Sequence, residues 1–188
     1  MADAAAEALA DHVELVERIQ ALLPDVEVVA RRLIEVYEGG GSLFTFGNGG
    51  SAADAQHLAA ELVGRYARER RPLAAVALST DPSVVTCIGN DFSFDDVFAR
   101  QVQALARRGD MALAFTTSGR SENVVRGLRT AREAGSTAVV FTGGDGGPAA
   151  EAAEHALVVP SRSTARIQEM HLLLLHLLID RVDGWAAA

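Results

Sequence analysis

His57 and Glu61 stand four residues apart in the stretch SAADAQHLAAEL, so a helix there puts an imidazole and a carboxylate on one face. A pair so placed can share a metal ion or a proton, or it can be a surface ion pair. Such a pair is usually a surface ion pair, and its position, one to two turns beyond the run Gly47-Asn48-Gly49-Gly50-Ser51, raises the weight of the first use. Glycines let a backbone approach a ligand closely, and a helix opening there offers free N–H groups and a positive dipole end. The same run also reads as a plain tight turn capped by Ser51, and it is not the GxGxxG dinucleotide fingerprint. A second run, Thr116-Thr117-Ser118-Gly119-Arg120-Ser121, places four hydroxyls at another helix start. Hydroxyls and backbone N–H groups together make an anion cradle that needs no lysine. Ser121 as N-cap with Glu122 in the first turn is the capping alternative, and a capping residue can also face a ligand. Near the carboxyl end, Arg166-Ile167-Gln168-Glu169-Met170-His171 runs into four leucines and His176. On a helix, Gln168 and His176 lie about 80° apart, and His171 and His176 about 140° apart. The two histidines therefore meet different surroundings, and His171 reads as a hydrogen-bonded core residue. Asn90-Asp91 is a turn signal after Gly89, and Thr142-Gly143-Gly144-Asp145-Gly146-Gly147 reads as a flexible connector.

The elements that must hold these residues alternate strand with helix. Short runs, apolar on both faces, predict strands over 43–46, 74–78, 111–115, 138–141 and 156–159. Helical spacing predicts helices over 51–63, 82–88, 95–106, 121–134, 148–153 and 164–182, with Gly135 as a C-cap signal. Two further helices come first: one from Ala4 to about Leu23, then, after a break at Pro24, one from Val26 to Tyr37 ended by three glycines. The expectation is an N-terminal helical arm over residues 1–38 followed by one α/β unit over 39–188. It is a three-layer α/β/α sandwich on a parallel sheet, with ligand loops beyond the carboxyl ends of the strands.

Composition limits the chemistry. The chain has 188 residues, 49% of them apolar and 5% aromatic, enough for a sizeable core. All 17 basic residues are Arg, so neither a Schiff-base nor a P-loop lysine is available. A net charge of −8 argues against a general nucleic-acid binder. One cysteine, Cys87, excludes an internal disulfide and a multi-Cys metal site. The opening residues are acidic without a basic n-region, and the apolar run from Leu172 to Ile179 is interrupted by His176. A cytoplasmic protein without membrane spans is the expectation.

Together, FGNGGSAADAQHLAAEL, CIGNDFSFDDVFARQV, TTSGRSENV, TGGDGG and ARIQEMHLLLLH resemble the phosphoheptose isomerases of the sugar isomerase (SIS) domain family. The resemblance covers residues 30–182, with the motifs in the same order and at similar spacing. It implies a five-stranded parallel sheet in flavodoxin-like order and a homotetramer. It places Asn48, Gly49, Gly50 and Ser51 at a first sugar-phosphate loop and Thr116, Thr117, Ser118 and Ser121 at the phosphate cradle. Asn90, Asp91, Glu61 and Gln168 fall at substrate-contacting positions. His57, Glu61, Gln168 and His176 match the ligands of a zinc ion, and Glu61 and His176 also match the acid–base pair. An oxygen and nitrogen donor set without thiolate suits zinc at a site open to substrate. One departure stands out: family members carry Asp just before the RIQ triplet, where this chain has Ala165.

The implied reaction interconverts sedoheptulose 7-phosphate and D-glycero-D-manno-heptose 7-phosphate. Moving a proton between adjacent carbons through an enediol(ate) needs a base at carbon, donors for the developing oxyanion and an anchor for the distal phosphate. A non-catalytic branch, resembling the DnaA initiator-associating protein, shares RIQEMH and SAADAQH and would make the tetramer a protein-binding platform. That branch lacks the Glu61 and His176 pair, and this chain keeps both. A phosphosugar sensor fused to a DNA-binding domain is a poor match, since the N-terminal arm is short and acidic.

Overall fold

The computed structural model describes residues 2–188. Two helices come first, α1 (Ala2–Arg18) and α2 (Leu23–Glu38), joined by a single 3-10 turn over Ile19–Leu22. Pro24 occupies the first turn of the second helix, as expected, where the missing N–H costs no intrahelical bond, while the first helix ends earlier than expected, at Arg18. Next come β1 (Leu43–Gly47), α3 (Gly50–Val63), β2 (Ala75–Ala77), α4 (Pro82–Asp91), α5 (Val97–Leu105) and β3 (Met111–Phe115). The chain closes with α6 (Glu122–Glu133), β4 (Thr137–Gly143), α7 (Gly147–Ala152), β5 (His155–Val159) and α8 (Thr164–Ala186). Gly135, at φ +79°, follows α6 as the sequence indicated. Helix α4 runs three residues beyond the expected Ile88 and takes Asn90 and Asp91 into its last turn. Its start is fixed by Asp81, whose carboxylate accepts the amides of Ser83 and Val84.

All five strands are parallel, in the order β2-β1-β3-β4-β5. The chain leaves β1 for one edge and returns to its other side at β3. The order therefore reverses between β1 and β3, and the loops after these two strands splay apart there to leave a crevice. Alternation along each strand sorts the core. Met111, Leu113 and Phe115 face a layer made by α2, α3 and α8 together with the end of α1. Ala112 and Ala114 face the layer of α5, α6 and α7. The small side chains on that second face let α6 come close. A Cβ on Gly127 of α6 would meet the Phe46 ring at 2.9 Å. In α8, His171, Leu174, Leu175, Leu178, Ile179 and Val182 are buried, while Leu177 is exposed. Among the described residues no helix is long and apolar enough to cross a membrane.

Candidate active site

The crevice between β1 and β3 is lined by both sequence-predicted loops. A cavity of about 190 Å3 is bounded by Asn48, Ser51, Thr116, Thr117, Ser118 and Ser121, with Gln168 closing it from α8. Loop one turns at Gly49, whose φ of +57° suits glycine, and Gly49 rather than Ser51 is the N-cap position of α3. Ser51 is buried in the next turn. Gly50 has its own reason: a Cβ there would collide with the Gln168 amide, so its absence lets α8 reach the loop. In loop two, Ser121 occupies the N-cap of α6, but its hydroxyl makes no capping bond. The first amides of α6 have no intrahelical acceptor. Thr116 Oγ1 accepts the Gly119 amide and Ser118 Oγ that of Arg120, folding the loop on itself. The Arg120 side chain turns outward to Asp145, at 2.7 Å.

Two contributors escape a local reading of the sequence. Asn123, buried in the first turn of α6, exchanges amide hydrogen bonds with Asn48 at 2.9 and 3.0 Å and so ties the two loops together. The expected connector Thr142–Gly147 is a buttress for loop two. The Gly119 carbonyl accepts the Ala149 amide, and a Cβ on Gly147 would lie 2.8 Å from that same oxygen. Its glycine density was the available signal, since so many glycines allow backbone to pack on backbone.

The titratable groups meet where α3 and α8 lie side by side. Gly50 touches Gln168, and two turns further along each helix His57 touches His176, so the helices run in the same direction. His57 Nε2 is 3.2 Å from Glu61 Oε1. The His57 and His176 ring centres are 5.1 Å apart at a steep angle, and Tyr66 stacks on His176 with ring centres 5.7 Å apart. Partial burial pulls the His176 imidazole below its usual pKa, and the nearby His57 adds to this while Glu61 opposes it. Near pH 7 the ring is therefore neutral and able to accept a proton or a metal. Asp54, one turn before His57, has one carboxylate oxygen buried without a partner, and burial raises its pKa to about 6.

His171 faces the other way. It is fully buried beside Phe115 and Phe141, with Nε2 3.2 Å from the Thr142 carbonyl oxygen. Asn90 and Asp91 do not join the cleft of their own chain. They are exposed at the end of α4 and bond to each other at 2.7 Å. Ala165 is exposed in the first turn of α8. A larger cleft, about 610 Å3, opens at the opposite end of the strands. None of the predicted residues lines it, and Asp110 in its wall is satisfied by the amides of Ser42 and Arg107.

Zinc can be tested against this donor set. Two imidazoles on one tetrahedral zinc, at about 2.0–2.1 Å, have ring centres about 5 Å apart, which is the spacing of His57 and His176. Glu61 stands beside His57 on the same seam, while the Gln168 amide packs against Gly50 two turns away. Among the described residues no three His, Cys, Asp or Glu side chains stand close enough together to hold a metal ion. The ring spacing of His57 and His176 is the feature that suits a zinc ion, with Glu61 beside His57.

Comparison with known proteins shows the family and the fold. The SIS domain model matches residues 7–143, which takes in most of the N-terminal arm. A phosphoheptose isomerase of Aquifex aeolicus is 49% identical over 174 residues, covering 89% of this chain and 91% of that one. The solved structure of a phosphoheptose isomerase from Neisseria gonorrhoeae superposes with a TM-score of 0.92 at 40% identity, covering 97% of this chain and 98% of that one. One from Francisella tularensis gives 0.94 at 34% identity and 97% coverage of both. On its fold, its motifs and these relatives, the chain belongs to the SIS domain family and, within it, to the phosphoheptose isomerases.

Proposed function

We propose that this chain is an aldose–ketose isomerase that interconverts sedoheptulose 7-phosphate and D-glycero-D-manno-heptose 7-phosphate through an enediol(ate). The carrying observation is the meeting of His57, Glu61 and His176 on the α3–α8 seam, beside a cradle of hydroxyls and helix-start amides. The phosphate docks on Thr116, Thr117, Ser118 and Ser121, where neutral donors at a helix start favour an anion. Asn48, Gly49, Gly50, Ser51 and Gln168 orient the sugar chain. Glu61 takes a proton from the carbon next to the carbonyl, and the freed electron pair forms the carbon–carbon double bond. His176 gives a proton to one sugar oxygen and takes one from its neighbour. Glu61 then returns its proton to the adjacent carbon. His57, Glu61, Gln168 and His176 would hold a zinc ion, which when bound supplies polarisation of the sugar oxygens.

In the non-catalytic platform reading, the Glu61 and His176 pairing has no task, so the enzyme is favoured. Incubation with sedoheptulose 7-phosphate, with and without chelator, tests it. The aldose phosphate should appear, more slowly with chelator and fully again once zinc is restored. No product with zinc supplied would contradict the isomerase, and turnover indifferent to chelator would remove zinc from the account.

A homotetramer and a cytoplasmic setting belong to the same reading. Leu9 and Val13 on α1 are 64% and 53% exposed, and Phe92 and Phe94 after α4 are each 57% exposed, more apolar surface than an isolated chain needs. Asn90 and Asp91, beside those two rings, would contact substrate only from a neighbouring copy. Light scattering at micromolar concentration should give the mass of four chains, and a monomer would contradict the assembly.

A further inference from the structure

Beyond the reactive end of the seam, the same two helices are joined a second time. Asp183 lies two turns past His176 on α8, hence on nearly the same side. Its carboxylate meets Arg70 Nε at 3.0 Å, and both side chains are fully buried. The other Asp183 oxygen accepts the amides of Arg68 and Ala67 at 2.9 and 3.3 Å. The Arg70 fork then continues into the end of α3. Nη2 donates to the backbone carbonyl of Glu61 at 2.6 Å, and Nη1 donates to Leu62 and Gly64 at 2.8 and 3.2 Å. One guanidinium thus holds the main chain of Glu61, while its carboxylate partner sits on the helix that carries His176. The loop between them also presents Tyr66, the residue before Ala67, against the His176 ring.

We propose that the Arg70–Asp183 ion pair is the positioning device of this site: it fixes the end of α3 against α8 and so sets Glu61 relative to His176. The inference rests on the reading of those two residues as the proton-transfer pair. Stability alone does not account for the pair. Two buried charges lose hydration on folding, and apolar side chains of similar volume commonly hold a fold as well. What apolar side chains cannot supply is direction. A planar fork with fixed donors sets where one helix end stands against the other. Proton transfer is sensitive to that, since a misplacement of about 1 Å can cost about 10²-fold in rate.

The test is the double substitution Arg70→Met, Asp183→Leu, which removes both charges together, assayed beside Glu61→Gln. The expected double variant is folded, with a melting temperature lowered by the backbone groups it leaves unpaired, and turns over at least about tenfold more slowly per folded molecule with KM little changed. A purely structural role would move the melting temperature and leave turnover per folded molecule intact. A crystal structure of the variant should show the His57–His176 ring separation displaced from 5.1 Å. Arg70→Lys supplies a second reading should the double variant not fold. It keeps the charge opposite Asp183 but loses the fork, and a severalfold drop in turnover at unchanged KM is expected. Parent turnover in either folded variant, with Glu61→Gln inactive, overturns the positioning role alone. Parent turnover in Glu61→Gln removes the underlying site reading and the proposal with it.

Discussion

The two faces of α8 carry the same residue type to opposite ends. His176 faces α3 at the partly open seam, with one imidazole and one carboxylate for neighbours. His171, five residues earlier, faces the sheet between Phe115 and Phe141 and bonds to a backbone carbonyl. Burial lowers the pKa of both, but it takes His171 to about 4 and leaves it no charged partner. A helix turning 100° per residue puts the two rings about 140° apart, and that rotation alone separates a partly open, titratable environment from a closed apolar one. Only on the His176 side do a second titratable group and an opening to solvent coincide.

The sharpest way to break this contrast is to exchange both histidines for glutamine. His176→Gln should lower turnover by at least about 10²-fold with the fold intact, since a proton-transfer group is lost. His171→Gln should leave turnover of the folded protein largely in place and change stability instead. The pH sign follows from the shift. His171 binds its proton near pH 4 when folded and near 6.5 when unfolded, so the unfolded chain holds more protons between those values. Its neutral burial is fully tolerated above about pH 6.5, and stability falls as pH drops from there toward 4, by up to about 3 kcal/mol. Thermal melts across that window should be steeper for the parent than for His171→Gln. If His171→Gln stopped catalysis in a folded protein while His176→Gln did not, the site would lie on the other face of α8.

Smaller effects are expected at the cradle, where many weak donors share the load. Ser118→Ala and Ser121→Ala should each weaken substrate binding by about 1–3 kcal/mol, as a hydrogen bond to a charged group is lost. Arg120→Ala should cost less, because its guanidinium is exposed and engaged with Asp145. Binding titrations with sedoheptulose 7-phosphate decide this. Silent serine changes beside an essential Arg120 would show the cradle to be wrongly assigned.

The sequence was most legible where local pattern decides structure. Buried parallel strands are apolar on both faces, so Met111–Phe115 could be placed to the residue. The loops after β1 and β3 announced themselves by glycines and hydroxyls, and their convergence followed once the sheet order was known. What stayed hidden depends on partners far along the chain. Arg70 lies in the run Arg68-Glu69-Arg70-Arg71, which looks like a solvated charge cluster, yet its partner Asp183 is 113 positions away. Asn123 has no local mark, because its meaning comes from Asn48, 75 positions earlier. Asn90 and Asp91 were expected to follow a short helix, and α4 instead continues through them. For Glu61 and His176 the motifs supplied the expectation, and folding brings their helices together across 115 positions.

The central claim is that the carboxylate of Glu61, held on α3 beside His57 and His176, moves the proton on which isomerisation depends. Glu61→Gln keeps the shape and an oxygen that can still coordinate, but it cannot take a proton. Measured on sedoheptulose 7-phosphate with zinc supplied, a folded Glu61→Gln variant should turn over at least about 10²-fold more slowly than the parent. Parent-like turnover in that variant would contradict the account.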